Sequence, residues 1–226
     1  MATSHSYVII SNPCNPSGTF IPPADLAHAA GDYPDSTLIV DESYCDFVAD
    51  PVGSSLLGTE LTNIGVLRSP SKAFGIGGAR CGALWTRNSA LSNLLTRQIP
   101  AWPLSILDTA VVVAALRAPG PLYLSTETWT QATCGRLRDT AARMERLLAE
   151  IDGVQVLPSP THYRFVLTPE PYQLYDHLLE HGIVARVFDA DQPGRIGGLR
   201  IASPREAELR RLEEALTDVR DSARHS

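Results

Sequence analysis

Three short apolar runs each stop at a loop rich in proline, glycine, serine or acid, and a fourth leaves the last of these loops. Tyr-Val-Ile-Ile at 7–10 ends in Ser-Asn-Pro-Cys-Asn-Pro-Ser-Gly-Thr at 11–19, where two prolines and a glycine force a turn. Thr-Leu-Ile-Val at 37–40 ends in Asp-Glu-Ser-Tyr-Cys-Asp-Phe at 41–47. Asn-Ile-Gly-Val-Leu-Arg at 63–68 feeds Ser-Pro-Ser-Lys-Ala-Phe-Gly-Ile-Gly-Gly-Ala at 69–79, and Arg-Cys-Gly-Ala-Leu-Trp at 80–85 leaves it. Runs this short and this β-branched read as buried strands. Residues 22–30 read as a short helix opened by proline. Strand–loop units in this order give an α/β layer with a mostly parallel sheet, and such sheets bind ligands at the carboxyl ends of their strands.

The loop after the third run carries the chemistry. Its lysine, Lys72, stands among serines and glycines, which also suits a surface loop. The apolar segments on both sides instead predict a semi-buried amine. Desolvation lowers an ammonium pKa and makes the amine a usable nucleophile, as a Schiff base with an aldehyde cofactor requires. Ser69, Ser71 and Arg80 supply donors for a phosphate, Arg80 as a planar fork. Asp41, at the carboxyl end of an apolar run, either caps the following turn or meets a ligand there. Glu42 and Asp46 read as solvated or structural, and Arg164 has no assigned role.

This lysine segment resembles that of the fold-type I pyridoxal phosphate (PLP) enzymes, the class I and II aminotransferase superfamily. The histidinol-phosphate aminotransferase and threonine-phosphate decarboxylase branches are nearest. Asn-Pro-Cys-Asn-Pro-Ser-Gly at 12–18 matches the family's Asn-Pro-x-Asn-Pro-Thr-Gly, with Ser17 for threonine, and Asp-x-x-Tyr at 41–44 matches a further landmark. The resemblance implies that Lys72 binds PLP, that Asp41 pairs with its ring nitrogen, and that Tyr44 and Asn15 bond its phenolic oxygen. It implies a phosphate held by Ser69, Ser71 and Arg80, a substrate carboxylate held by Arg200 of Gly-Leu-Arg-Ile, and a distal phosphate met by Arg186. Ile-Pro-Ala-Trp-Pro at 99–103 resembles a turn of the same branches, but Leu104 and Ser105 stand where relatives often carry asparagine. The substrate therefore stays open.

The expected architecture is a truncated PLP-transferase large domain over 1–121, then a linking helix and small α+β domain over 122–226. A usual family member carries a long segment ahead of the Asn-Pro motif; this chain has eleven residues there. An aromatic stacking residue, half of the phosphate cup and the cover of one sheet edge are expected to be missing. An exposed edge seeks a partner, so a homodimer or pairing with a longer chain is expected.

Composition narrows the rest. A net charge of −6 argues against nucleic acid as a partner. Cys14, Cys45, Cys81 and Cys134 show neither CxxC spacing nor clustering with histidine, so no metal is expected and the thiols read as reduced in a cytoplasmic protein. The N-terminus lacks a signal-peptide pattern, and the apolar run at 110–116 is too short to span a membrane. Ile106 to Leu116 reads as core helix. Transamination or α-decarboxylation of an amino acid, phosphorylated ones included, is the leading reading. The alternatives are a cofactor-independent biosynthetic enzyme on the same fold and a truncated pseudoenzyme acting as a partner subunit.

Overall fold

The computed structural model describes residues 6–117, 126–190 and 197–224. It divides into two compact units, Met1–Cys14 with Phe20–Cys134, and Asn15–Thr19 with Gly135–Ser226. The boundary expected at 121/122 lies outside the described residues. The change of unit falls inside α4 (Thr126–Leu148), and the short Asn15–Thr19 segment counts with the C-terminal unit.

In the first unit, β1 (Ser6–Ser11), β2 (Ser36–Asp41) and β3 (Ile64–Arg68) run parallel in that order. β4 (Ala83–Thr86) closes the row antiparallel to β3. The connection between them holds only one short 3₁₀ turn, Gly77–Ala79, and no crossover helix of the kind that makes a strand return parallel. Between β1 and β2, α1 (Pro23–Asp32) opens on proline, whose fixed φ suits the first helical position. It buries Leu26 and Ala30 against Val40, Ile64, Val66 and Leu56. Each large apolar side chain withdrawn there contributes about 1.5–3 kcal/mol. α2 (Ser89–Thr96) is capped by Asn88, whose side chain accepts from the Leu91 amide at 2.9 Å.

α3 (Ile106–Arg117) corrects an expectation. Its apolar sequence reads as core, yet Ile106, Leu107, Val111, Val113 and Leu116 are exposed and Val112 alone is buried. A helix apolar on all sides needs cover on all sides, and among the described residues only one side has it.

The second unit is an antiparallel sheet in the order β5-β6-β8-β7, formed by β5 (Gln155–Val156), β6 (Tyr163–Leu167), β8 (Gly198–Ala202) and β7 (Arg186–Phe188). One face of this sheet, through Val166, Leu199 and Ile201, packs on Met144 and Leu148 of α4, Leu178 of α5 (Pro171–Glu180) and Leu209, Leu212 and Leu216 of α6 (Glu206–Arg224). Strand alternation puts Tyr163, Phe165, Arg186, Phe188 and Arg200 on the other face. Gly198 is required between β6 and β8, because a Cβ there would stand 2.2 Å from the Val166 carbonyl oxygen. The fold is a mostly parallel α/β layer followed by a small α+β unit.

Candidate active site

The parallel strands of the first unit end level with one another. Ser11 pairs with Asp41, and Asp41 with Leu67. The three loops that follow therefore leave one end of the sheet together, and they contain most of the expected site residues.

Asp41 is half-buried at its strand end. Its Oδ1 accepts from the Ser43 amide at 2.9 Å and the Ser43 hydroxyl at 2.5 Å, so the capping role is real. Among the described residues Oδ2 accepts nothing, which leaves one carboxylate oxygen for a ligand. Tyr44, three positions on, is buried, and the Lys72 Nζ lies 5.9 Å from the centre of its ring.

Lys72 itself is exposed, against the semi-buried position its neighbours suggest. Alternation along the loop turns Ser71 and Ala73 inward and leaves the lysine between them facing outward. It is also the only lysine among 19 lysines and arginines. Ser69 donates to the Cys81 carbonyl at 2.8 Å and stands 2.9 Å from the Ser71 hydroxyl, so the two serines converge. Arg80 is not hydrogen-bonded to them. It is exposed, its Nη1 donates to the Gly77 carbonyl at 3.2 Å, and its φ of 46° places a non-glycine residue in the left-handed region. Backbone held there costs of order 1–3 kcal/mol and clusters at functional sites.

Beneath these loops lies a charge network that sequence reasoning missed. Glu42 is buried and accepts from the Ser55 hydroxyl at 2.5 Å, the Leu56 amide at 2.7 Å and Arg68 Nη1 at 3.1 Å. The second guanidinium nitrogen of Arg68 reaches Asp46 Oδ1 at 2.8 Å. Burial raises the Asp46 carboxyl above the usual range, with Arg68 opposing. Burial by itself would lower the Arg68 pKa, but Asp46, Cys45 and Glu42 outweigh it. Burial, then the Glu42 charge, pushes the Cys45 thiol up to about 11. The available signal was three charged residues at the ends of apolar runs, where solvent alone does not satisfy them.

In the second unit Arg200 Nη1 donates to the Asn15 side-chain oxygen at 2.7 Å, and its guanidinium lies 5.5 Å from the Tyr163 ring centre. With Oδ1 so engaged, Asn15 keeps its amide nitrogen as a donor. Arg186 is the direct cross-strand partner of Arg200 and sits 5.4 Å from the Phe188 ring centre. Two like charges opposite each other on one sheet face disfavour the empty sheet and favour an anion between them. Arg164 has a structural task instead: it is buried and donates to Glu145 of α4 at 2.6 Å and to the Thr161 and Tyr163 carbonyls. Among the described residues no histidine, cysteine and acid cluster could hold a metal ion, and no helix is long and apolar enough to cross a membrane.

Comparison with known proteins identifies the family and the fold. The family model for aminotransferase class I and II matches residues 2–216. A histidinol-phosphate aminotransferase of Shewanella amazonensis is 31% identical over 95% of this chain and 58% of its own length. That of Blochmanniella floridana is 34% identical over 86% of this chain and 52% of its own length. The chain thus spans about half the length of these relatives. Among solved structures, the histidinol-phosphate aminotransferase of Clostridium acetobutylicum superposes with a TM-score of 0.80 at 22% identity, covering 96% of this chain and 64% of that one. The L-threonine-O-3-phosphate decarboxylase of Porphyromonas gingivalis gives 0.76 at 21% identity, over 94% and 64%. A histidinol-phosphate aminotransferase of Sinorhizobium meliloti, solved with pyridoxal-5'-phosphate, gives 0.74 at 24% identity, over 96% and 58%.

Proposed function

This chain belongs to the class I and II aminotransferase family, and on that premise we propose that it forms the lysine-bearing part of a PLP-dependent enzyme acting on an amino acid. The observation that carries this reading is the level ending of β1, β2 and β3, which sends the loops of Asp41, Tyr44 and Lys72 out together. The residues present fit the cofactor. Lys72 is an exposed primary amine, Asp41 has an oxygen to spare, and two serine hydroxyls converge beside the lysine. When bound, PLP supplies an electron sink for the bond broken at the substrate's α-carbon.

The chain's own residues do the rest. Lys72 would hold the cofactor through its aldehyde carbon, with loss of water, and would then be placed to carry the α-proton. Asp41 would keep the ring nitrogen protonated. Tyr44 and the Asn15 amide would serve as donors to the phenolic oxygen, and Ser69, Ser71 and Arg80 as donors to the phosphate. Arg200 grips the substrate carboxylate while Arg186, its cross-strand neighbour, meets a second anionic group such as a phosphate. A substrate with two anionic ends therefore suits the sheet face better than one with a single carboxylate. Whether the α-proton or the carboxylate leaves separates transamination from decarboxylation, and product analysis distinguishes them.

PLP added to the purified protein should give a visible absorption band. Borohydride should then fix one cofactor mass on the chain, and peptide mapping should place it on Lys72, the only lysine, and not on the N-terminal amine. Lys72→Ala should lose both signals; a mutant that keeps the band would refute the assignment.

On the same reading the chain works in an assembly in the cytoplasm. What supports the assembly is uncovered apolar surface: both faces of β1, and α3 on all sides but one. A cofactor-free enzyme on this fold is the weaker alternative, because it leaves the exposed amine and the paired arginines without a task.

A further inference from the structure

We propose that Arg68 is a positioning residue: by bridging Glu42 and Asp46 it fixes the Lys72 amine over the Tyr44 ring. The inference deepens the reading of the lysine site given above and rests on it for its catalytic meaning.

Asp41 and Tyr44 belong to the segment that follows β2, whereas Lys72 belongs to the segment that follows β3. Backbone bonds tie the two only at their roots: the Glu42 amide donates to the Leu67 carbonyl at 2.9 Å, and beyond that the chains part. Arg68 makes the connection further out. It is the last residue of β3, one position before the Ser69–Ser71 pair and four before Lys72. Its two terminal nitrogens separate onto two carboxylates of the other segment, Glu42 at 3.1 Å and Asp46 at 2.8 Å. Those acids stand on either side of Tyr44 in sequence, so the guanidinium fork holds the tyrosine's turn from both sides. Glu42 is in turn locked to Ser55 and Leu56, which anchors the bridge in the body of the unit. A lysine side chain could neutralise Glu42 but lacks the planar fork that spans both acids.

Mere charge compensation would need only the Glu42–Arg68 pair. The second contact, to the quarter-exposed Asp46, also ties down the far side of the Tyr44 turn. This difference supplies the test. The single lysine allows reductive methylation with ¹³C-formaldehyde to place one side-chain reporter on the chain, apart from the N-terminal amine. In the full-length protein without cofactor, its NMR resonance should be displaced by the Tyr44 ring current; Tyr44→Leu gives the undisplaced value. Asp46→Asn keeps the Glu42–Arg68 pair and should fold, so it serves if Arg68→Gln does not. Both variants should remove at least half of the displacement while Asp46→Asn leaves the thermal melt unchanged.

A wild-type resonance coincident with that of Tyr44→Leu overturns the proposal, as does a displacement unchanged in folded Asp46→Asn and Arg68→Gln. The visible band with added PLP, measured on unmethylated protein, reads the catalytic assignment separately. Its absence in the wild type refutes the cofactor reading, while the NMR displacement still decides whether the bridge holds the amine.

Discussion

Asp41 carries two duties on one carboxylate, and they can be separated by substitution. Oδ1 caps the turn through Ser43 while Oδ2 is left for the ring nitrogen. Asn can reproduce the cap but not the charge. Asp41→Asn should therefore melt within a few degrees of wild type yet turn over at least roughly a hundredfold more slowly, the scale of a lost preorganised electrostatic contact. Asp41→Ala should lose the turn's hydrogen bonds as well, each worth about 0.5–1.5 kcal/mol. Comparison of melts and turnover for the two variants checks this; an Asn variant as active as wild type would return Asp41 to a purely capping role. Arg80 shows a related economy, since the exposed guanidinium and the left-handed backbone occur at the same residue.

Elements decide how the network beneath the loops behaves. Removing one partner of a buried ion pair costs about 3–5 kcal/mol, whereas replacing both by apolar groups can be neutral. Arg68 and Glu42 should accordingly be far more sensitive singly than together. Cys45 stands between Glu42 and Asp46 in sequence and gives a pH signature. Folded, it keeps its proton up to about 11; unfolded, it loses the proton near 9.0. Between these values the native state binds more protons, so stability falls as pH rises from about 9 to about 11. Cys45→Ala should flatten that alkaline loss in melts taken across the window. An unchanged slope would show that the thiol does not titrate there. The strands were legible in sequence because apolar, β-branched runs ending in turn residues have few other uses, and the lysine loop because its motif is local. Pairing of Arg68 with Glu42, 26 positions earlier, was not, since it depends on the register that sets Asp41 opposite Leu67. The outward turn of Lys72 was equally hidden, because spacing does not say which side of a loop faces the protein. Exposure of α3 escaped for another reason: an apolar helix has the same sequence whether or not its cover belongs to the same chain.

On the scale of the whole molecule, one stretch of uncovered apolar surface lies on an edge strand of the first sheet. Tyr7, Val8 and Ile9 are 54%, 48% and 68% exposed, on a parallel strand that would ordinarily be buried on both faces. β1 carries no charge and no proline to discourage pairing. Light scattering should give a mass above that of one chain at micromolar concentration, and Ile9→Glu should lower it; a wild-type monomer across that range would contradict the expected assembly. Connectivity adds a consequence in time. The Asn15 side chain completes its bond only with Arg200, 185 positions later. At a synthesis rate of about 5–20 residues per second, the segment waits about 10–40 s on the ribosome before its partner strand exists. During that interval Asn15–Thr19 has been made but the rest of its unit has not. The C-terminal unit therefore draws on a segment made well before its own strands, and a copy of the gene cut at the boundary inside α4 would encode that unit incomplete.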